Sequence, residues 1–156
     1  MSSVPCMIDL LPHRAPMRLV EEVVELVPGR SARGRRVARP DDWYFQGHFP
    51  GDPVVPAIVL VELLAQTGGL AACAGPGVLH GQALRVAAFA AFKFPGAARP
   101  HAVLEAVAQV VGRMGGMVKI EGHVTADGVP VAVGGVILAE TGPATEGLRA
   151  EGEVNP

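Results

Sequence analysis

Residues 43–69 read WYFQGHFPGDPVVPAIVLVELLAQTGG. The first half is a loop punctuated by Gly47, Pro50, Gly51 and Pro53, and it carries one histidine, His48. The second half is apolar almost throughout, with a single acid, Glu62. From about Pro56 to Cys73 the run is too long for an ordinary strand, and proline suits the first turn of a helix. A helix that is apolar nearly all round must be buried on most sides. Gly68 and Gly69 each cost such a helix about 1 kcal/mol relative to alanine, so they point to close packing of a strand or to a place where the helix weakens.

Outward from the helix, the chain reads as strands. Residues 84–94, LRVAAFAAFKF, are apolar and aromatic. Residues 102–111 put Leu104, Ala106, Ala108 and Val110 on one face. Residues 117–126 alternate most cleanly, with Val118, Ile120 and Val124 inward and Lys119, Glu121, His123 and Thr125 outward. Asp127-Gly128 is a hairpin turn signal, and residues 129–139 supply the returning strand. Upstream, residues 18–27 fit a strand or a helix, Pro28-Gly29 is a turn, and residues 30–39 read as a basic, exposed strand. The class is α+β: one buried helix followed by an antiparallel meander. A sheet covering such a helix curls around it, and a second subunit's sheet would close the remaining side.

The 156 residues suit one domain with a real core, placed at residues 1–140. The tail, residues 141–156, has almost no apolar pattern and reads as flexible. Apolar residues make up 49% and aromatics 4%, so the core is built from aliphatics. A formal charge of −2 supplies no field for nucleic acid. Two cysteines, Cys6 and Cys73, make no disulfide framework and suggest a reducing, cytoplasmic setting. No basic region followed by an apolar run opens the chain, so no signal peptide is expected. Glu62, Gln66 and Pro56 argue against residues 54–73 as a membrane span, since an acid at mid-bilayer costs on the order of 3 kcal/mol. The histidines show no metal-ligand spacing, and no metal is expected.

Glu62 and Gln66 are four residues apart and share a helix face. Among aliphatic neighbours a carboxyl is expected to hold its proton more tightly and so to serve as a general acid; a structural acid paired with an arginine is the competing reading. His48 is suited to proton transfer, or to a plain capping bond. Backbone N–H groups near Val54 and Ala57, at the helix start, would hold a developing oxyanion. Base, acid and oxyanion site within 15 residues point to proton abstraction beside a carbonyl, coupled to loss of a leaving group.

The stretch GHFPGDPVVPAIVLVELLAQ resembles the signature of the FabZ-type 3-hydroxyacyl-acyl-carrier-protein dehydratases. LLPHRAPMRLVEEV at residues 10–23 looks like that family's N-terminal motif, and AFKFPGAARP and GGMVKIEGHVTADGVPVA look like its later strands. The likeness covers residues 8–140. It implies a hotdog fold, a curved antiparallel sheet wrapped around a long central helix. It implies that His48 takes the α-proton of a (3R)-3-hydroxyacyl thioester and that Glu62 protonates the leaving hydroxyl, giving a trans-2-enoyl product in fatty-acid or related acyl-chain synthesis. Val54 and Ala57 amides would polarise the thioester, with Phe49, Gly51 and Gln66 in the surrounding substrate site. The implied partner is acyl carrier protein, whose phosphopantetheine carries the substrate; no further cofactor is implied. The implied assembly is a homodimer with shared active sites, and dimers of the family often join into hexamers.

Three departures bear on specificity. Ala57 stands where the family usually has glycine, Ala15 where an aromatic is usual, and Arg99-Pro100-His101 where Pro-Gly-Asp is common. Two other functions stay open from sequence: an acyl-thioester hydrolase of the same fold, and a non-catalytic acyl-binding subunit. His13 and Arg14 read as structural or entrance residues. The run Arg30, Arg33, Arg35, Arg36 and Arg39 reads as a charged exposed strand, with a docking rim for an acidic carrier as the alternative.

Overall fold

The computed structural model describes residues 7–73 and 84–141. The tail expected to be flexible lies outside the described residues, apart from Thr141. The elements run β1 (Glu22–Val27), β2 (Ser31–Val37), α1 (Ala57–Cys73), β3 (Leu84–Lys93), β4 (Val103–Met114), β5 (Met117–Ala126) and β6 (Val129–Glu140). All strand pairings are antiparallel, in one six-stranded sheet of order β1-β2-β4-β5-β6-β3.

The helix is buried along almost its whole length. Leu63, Leu64, Thr67, Leu70 and Ala71 are fully enclosed, and only the first turn, at Ala57 and Ile58, is exposed. The sheet supplies the other side of the core. Leu104, Ala106 and Ala108 of β4, Val118, Ile120 and Val124 of β5 and Val131, Ala132 and Val136 of β6 are all buried. Asp127 and Gly128 both take positive φ, 49° and 82°, as the tight β5–β6 turn requires.

Helix and sheet approach closely where side chains are missing. A methyl group on Gly68 would lie 2.8 Å from Ile120, and one on Gly34 would lie 2.7 Å from Thr67 Oγ1. Gly68 therefore permits the close strand packing expected of it. Gly69 does not, since a methyl there would meet nothing nearer than Leu11 at 3.9 Å.

Two expectations are corrected. The last four strands are not a simple meander: β3 pairs with β6 and ends up at the sheet edge, while β2 takes the place beside β4. Nor is β2 merely exposed. It alternates, with Ala32, Gly34 and Arg36 turned inward. Arg36 is tolerated there because Asp42 binds its guanidinium at 2.9 Å, the Leu19 carbonyl accepts at 3.1 Å, and the Tyr44 ring lies 5.6 Å away. Among the described residues no helix is long and apolar enough to cross a membrane.

Candidate active site

His48 closes the loop ahead of α1. Its carbonyl accepts the Val54 N–H at 2.9 Å, and its ring Nδ1 lies 2.9 Å from the Val54 carbonyl. A carbonyl can only accept, so Nδ1 carries the hydrogen and Nε2 keeps a free lone pair. The Phe49 ring stacks on the imidazole with centroids 4.2 Å apart. The loop is held by paired backbone bonds between Phe49 and Asp52, with Gly51 at φ 75° in the turn.

His48, Pro56, Ala57 and Ile58 line a shallow depression of about 580 Å³ with Trp43 and Tyr44. Phe49 and Gly51 line an adjoining one. Trp43, Phe49 and Ile58 are exposed on this rim, and Trp43 Nε1 donates to the Pro16 carbonyl. Among the described residues the N–H groups of Ala57 and Ile58 donate to no carbonyl or side chain, as expected of a first helical turn. Val54 corrects the sequence reading: its N–H is already bound to His48, so it orients the histidine and is not a free oxyanion donor. Ile58, which sequence reasoning did not single out, offers the second free amide.

Glu62 lies elsewhere in the chain. It lines a cavity of about 360 Å³ with His13, Gln66, Ala65, Gly69 and Leu138. Within one chain Glu62 and His48 line separate cavities. Gln66 is 2% exposed and fully engaged. Its Oε1 accepts from Leu19 N–H at 2.8 Å, and its Nε2 donates to the Met17 carbonyl at 2.8 Å and to Glu62 Oε1 at 2.9 Å. Gln66 therefore clamps the N-terminal segment to the helix and holds the acid, while lining the same cavity.

The expected rise in the Glu62 pKa is also corrected. Burial pushes the carboxyl up, but the hydrogen bonds from His13 and Gln66, and the charge His13 carries when protonated, outweigh it and hold it below the usual range. His13 Nε2 lies 3.4 Å from Glu62 Oε1. Nothing in the sequence could pair them, since 49 residues separate the two positions.

The arginines of β2, and Arg39 just beyond it, are answered by acids. Arg33 faces Glu25 and Glu105, Arg35 binds Glu22 and Glu105, and Arg39 binds Glu21. With Arg36 held by Asp42, four of the five arginines in the run are paired with acids, and Arg30 lies outside these pairs. Among the described residues no cluster of His, Cys, Asp and Glu is arranged to hold a metal ion.

The FabA-like domain family matches residues 11–134. The 3-hydroxyacyl-acyl-carrier-protein dehydratase FabZ of Ruminiclostridium cellulolyticum is 35% identical over 136 residues, covering 85% of this chain and 93% of the relative. That of Chloroflexus aggregans is 46% identical over 76 residues, 49% of this chain but only 53% of the relative. Among solved structures, the dehydratase heterocomplex ApeI:P of Xenorhabdus doucetiae superposes with a TM-score of 0.70 at 18% identity, over 86% of this chain and 91% of that one. That last likeness shows the hotdog fold alone. The chain belongs to the FabA-like family and is a FabZ-type member of it.

Proposed function

We propose that the protein removes water from (3R)-3-hydroxyacyl-acyl-carrier-protein to give the trans-2-enoyl thioester, and that His48 and Glu62 carry out the two proton transfers. His48 Nε2 takes the α-proton. The C3–O bond breaks, and Glu62 gives its proton to the departing hydroxyl, which leaves as water. The Ala57 and Ile58 amides receive the charge that builds on the thioester oxygen. The observation that carries this reading is the orientation of His48: the Val54 carbonyl takes its Nδ1–H and leaves the other ring nitrogen for the depression that Ala57 and Ile58 also line.

The acid comes from a second copy of the chain. An antiparallel homodimer formed edge to edge through β3 fits the exposure of its apolar residues, Val86 at 40% and Phe89 at 57%. Further pairing of dimers is compatible with this edge contact. Closure by the partner and the acyl chain removes water from Glu62, whose side chain is 27% exposed, and so moves its pKa up toward the working range. The acyl group rides on the phosphopantetheine of an acyl carrier protein; both transfers are made by side chains, so the scheme calls on no further cofactor. Unpaired, buried Cys73 suits a cytoplasmic location.

Hydration of a crotonyl or decenoyl thioester, followed by loss of enoyl absorbance, tests the scheme in reverse. His48→Ala and Glu62→Gln should each slow it by about 10²–10⁴-fold. A near-wild-type rate in either variant defeats the mechanism. Release of free thiol would mark a hydrolase, and binding without turnover a non-catalytic acyl-binding subunit.

A further inference from the structure

The two carboxyl oxygens of Glu62 are not equivalent. Oε1 accepts from Gln66 Nε2 at 2.9 Å and also faces His13 Nε2 at 3.4 Å, a long contact for a hydrogen bond. Oε2 accepts no hydrogen bond among the described residues. The other ring nitrogen of His13, Nδ1, is buried and has no partner. A hydrogen on Nδ1 would be a buried donor without an acceptor, whereas a bare lone pair there costs less. The ring therefore carries its hydrogen on Nε2 and aims it at Oε1.

The segment bearing His13 is firmly placed. Leu11 is buried, Arg14 Nη1 donates to the carbonyls of Leu11 and His13, and Gln66 ties Met17, Leu19 and Val20 to α1. The other titratable groups lining the cavity are Arg85 on β3 and Cys73 at the end of α1.

Resting on the dehydratase reading above, we propose that His13 is a positioning residue: its Nε2–H and the Gln66 amide together engage Glu62 Oε1, so that Oε2 is the oxygen that hands a proton to the departing hydroxyl. As the Oε2–H bond breaks, the electron pair stays on the carboxylate and the hydroxyl leaves as water. Two N–H donors on Oε1 bind the resulting anion more strongly than the neutral acid, so their effect grows along the reaction.

Steady-state kinetics of His13→Ala and His13→Gln test this against pH. Alanine should lower kcat roughly ten-fold, the effect of one lost hydrogen bond to a charged group, with KM little changed. It should also move the limb of the pH–rate profile that reports Glu62 to higher pH, because the anion has lost a donor. Glutamine places an amide nitrogen near the position of Nε2 and should restore most of kcat and of the limb. Should alanine fail to fold, His13→Met, close to glutamine in size but without a donor, gives the same comparison.

Wild-type kcat and an unmoved limb in the donor-less variant would overturn the proposal, as would a glutamine variant no better than it. Glu62→Gln separates the two levels. A full rate there removes the dehydratase reading itself, whereas a dead Glu62→Gln beside an unaffected His13→Ala removes the role of His13 alone.

Discussion

The two halves of the candidate site are built differently. Glu62 is held by its own chain, through Gln66 and His13, on a helix packed tightly to the sheet. His48 stands on an open rim where Trp43, Phe49 and Ile58 are 43%, 55% and 74% exposed. One half is enclosed within a single chain; the other is left open to solvent. Under the proposed scheme the dyad is divided between two copies and depends on assembly, and that dependence can be attacked directly.

The largest effect should come from mixing two dead variants. In a statistical mixture of His48→Ala and Glu62→Gln chains, half of the dimers are mixed and each contains one site with both groups intact. Activity should return to about a quarter of wild type if the site is shared between two-fold partners, and not at all if each chain holds a whole site. Enoyl-thioester turnover after co-refolding reads the result.

Next in size is Phe89→Lys, which puts a charge on the exposed edge. It should shift the protein to monomer in light scattering and take activity with it, while far-ultraviolet dichroism stays unchanged. Retained assembly would place the interface elsewhere than β3.

The enclosed half is probed by Gly34→Ala. The new methyl would press on Thr67, 2.7 Å away, and on Val20 at 3.3 Å. Overpacking of this kind costs about 1–3 kcal/mol, a fall in Tm of roughly 3–12 °C for a domain of this size. An unchanged Tm would mean that the helix is less tightly seated than the structure has it.

The smallest effect is acid sensitivity. Glu62 and Asp42 both sit below the ordinary carboxylate range. In each, burial pushes upward and hydrogen bonds prevail: His13 and Gln66 at Glu62, and the Tyr44 hydroxyl, the Arg39 amide and Arg36 at Asp42. Depressed acids stabilise the fold above their unfolded pKa, about 4, and that contribution is lost as pH falls through the folded values. Urea midpoints should therefore decline below about pH 4, and Glu62→Gln should flatten part of the decline.

The helix and the strands β4 and β5 were legible because their patterns report which face meets the core, and that face is buried in one chain. Val118, Ile120 and Val124 alternate cleanly and are buried as read. The fate of β3 was not legible. Its apolar run says that it is covered, but periodicity does not say by which chain, and its place beside β6 depends on a crossover that no local signal encodes. Arg36 misled for a related reason: a charge reads as surface unless Asp42 and Tyr44 are known to wait inside. At the site, His48, Glu62 and Ala57 were visible as residue types in a short span. The engaged Val54 amide and the approach of His13 are facts of backbone path and long-range packing, which spacing cannot supply.

Trp43 adds a practical consequence. It is the chain's single tryptophan, half open to water beside His48 and tethered through its indole nitrogen to Pro16. Nature has thereby installed a lone optical reporter at the unfinished edge of the molecule, whose emission colour tracks local wetting without any attached dye.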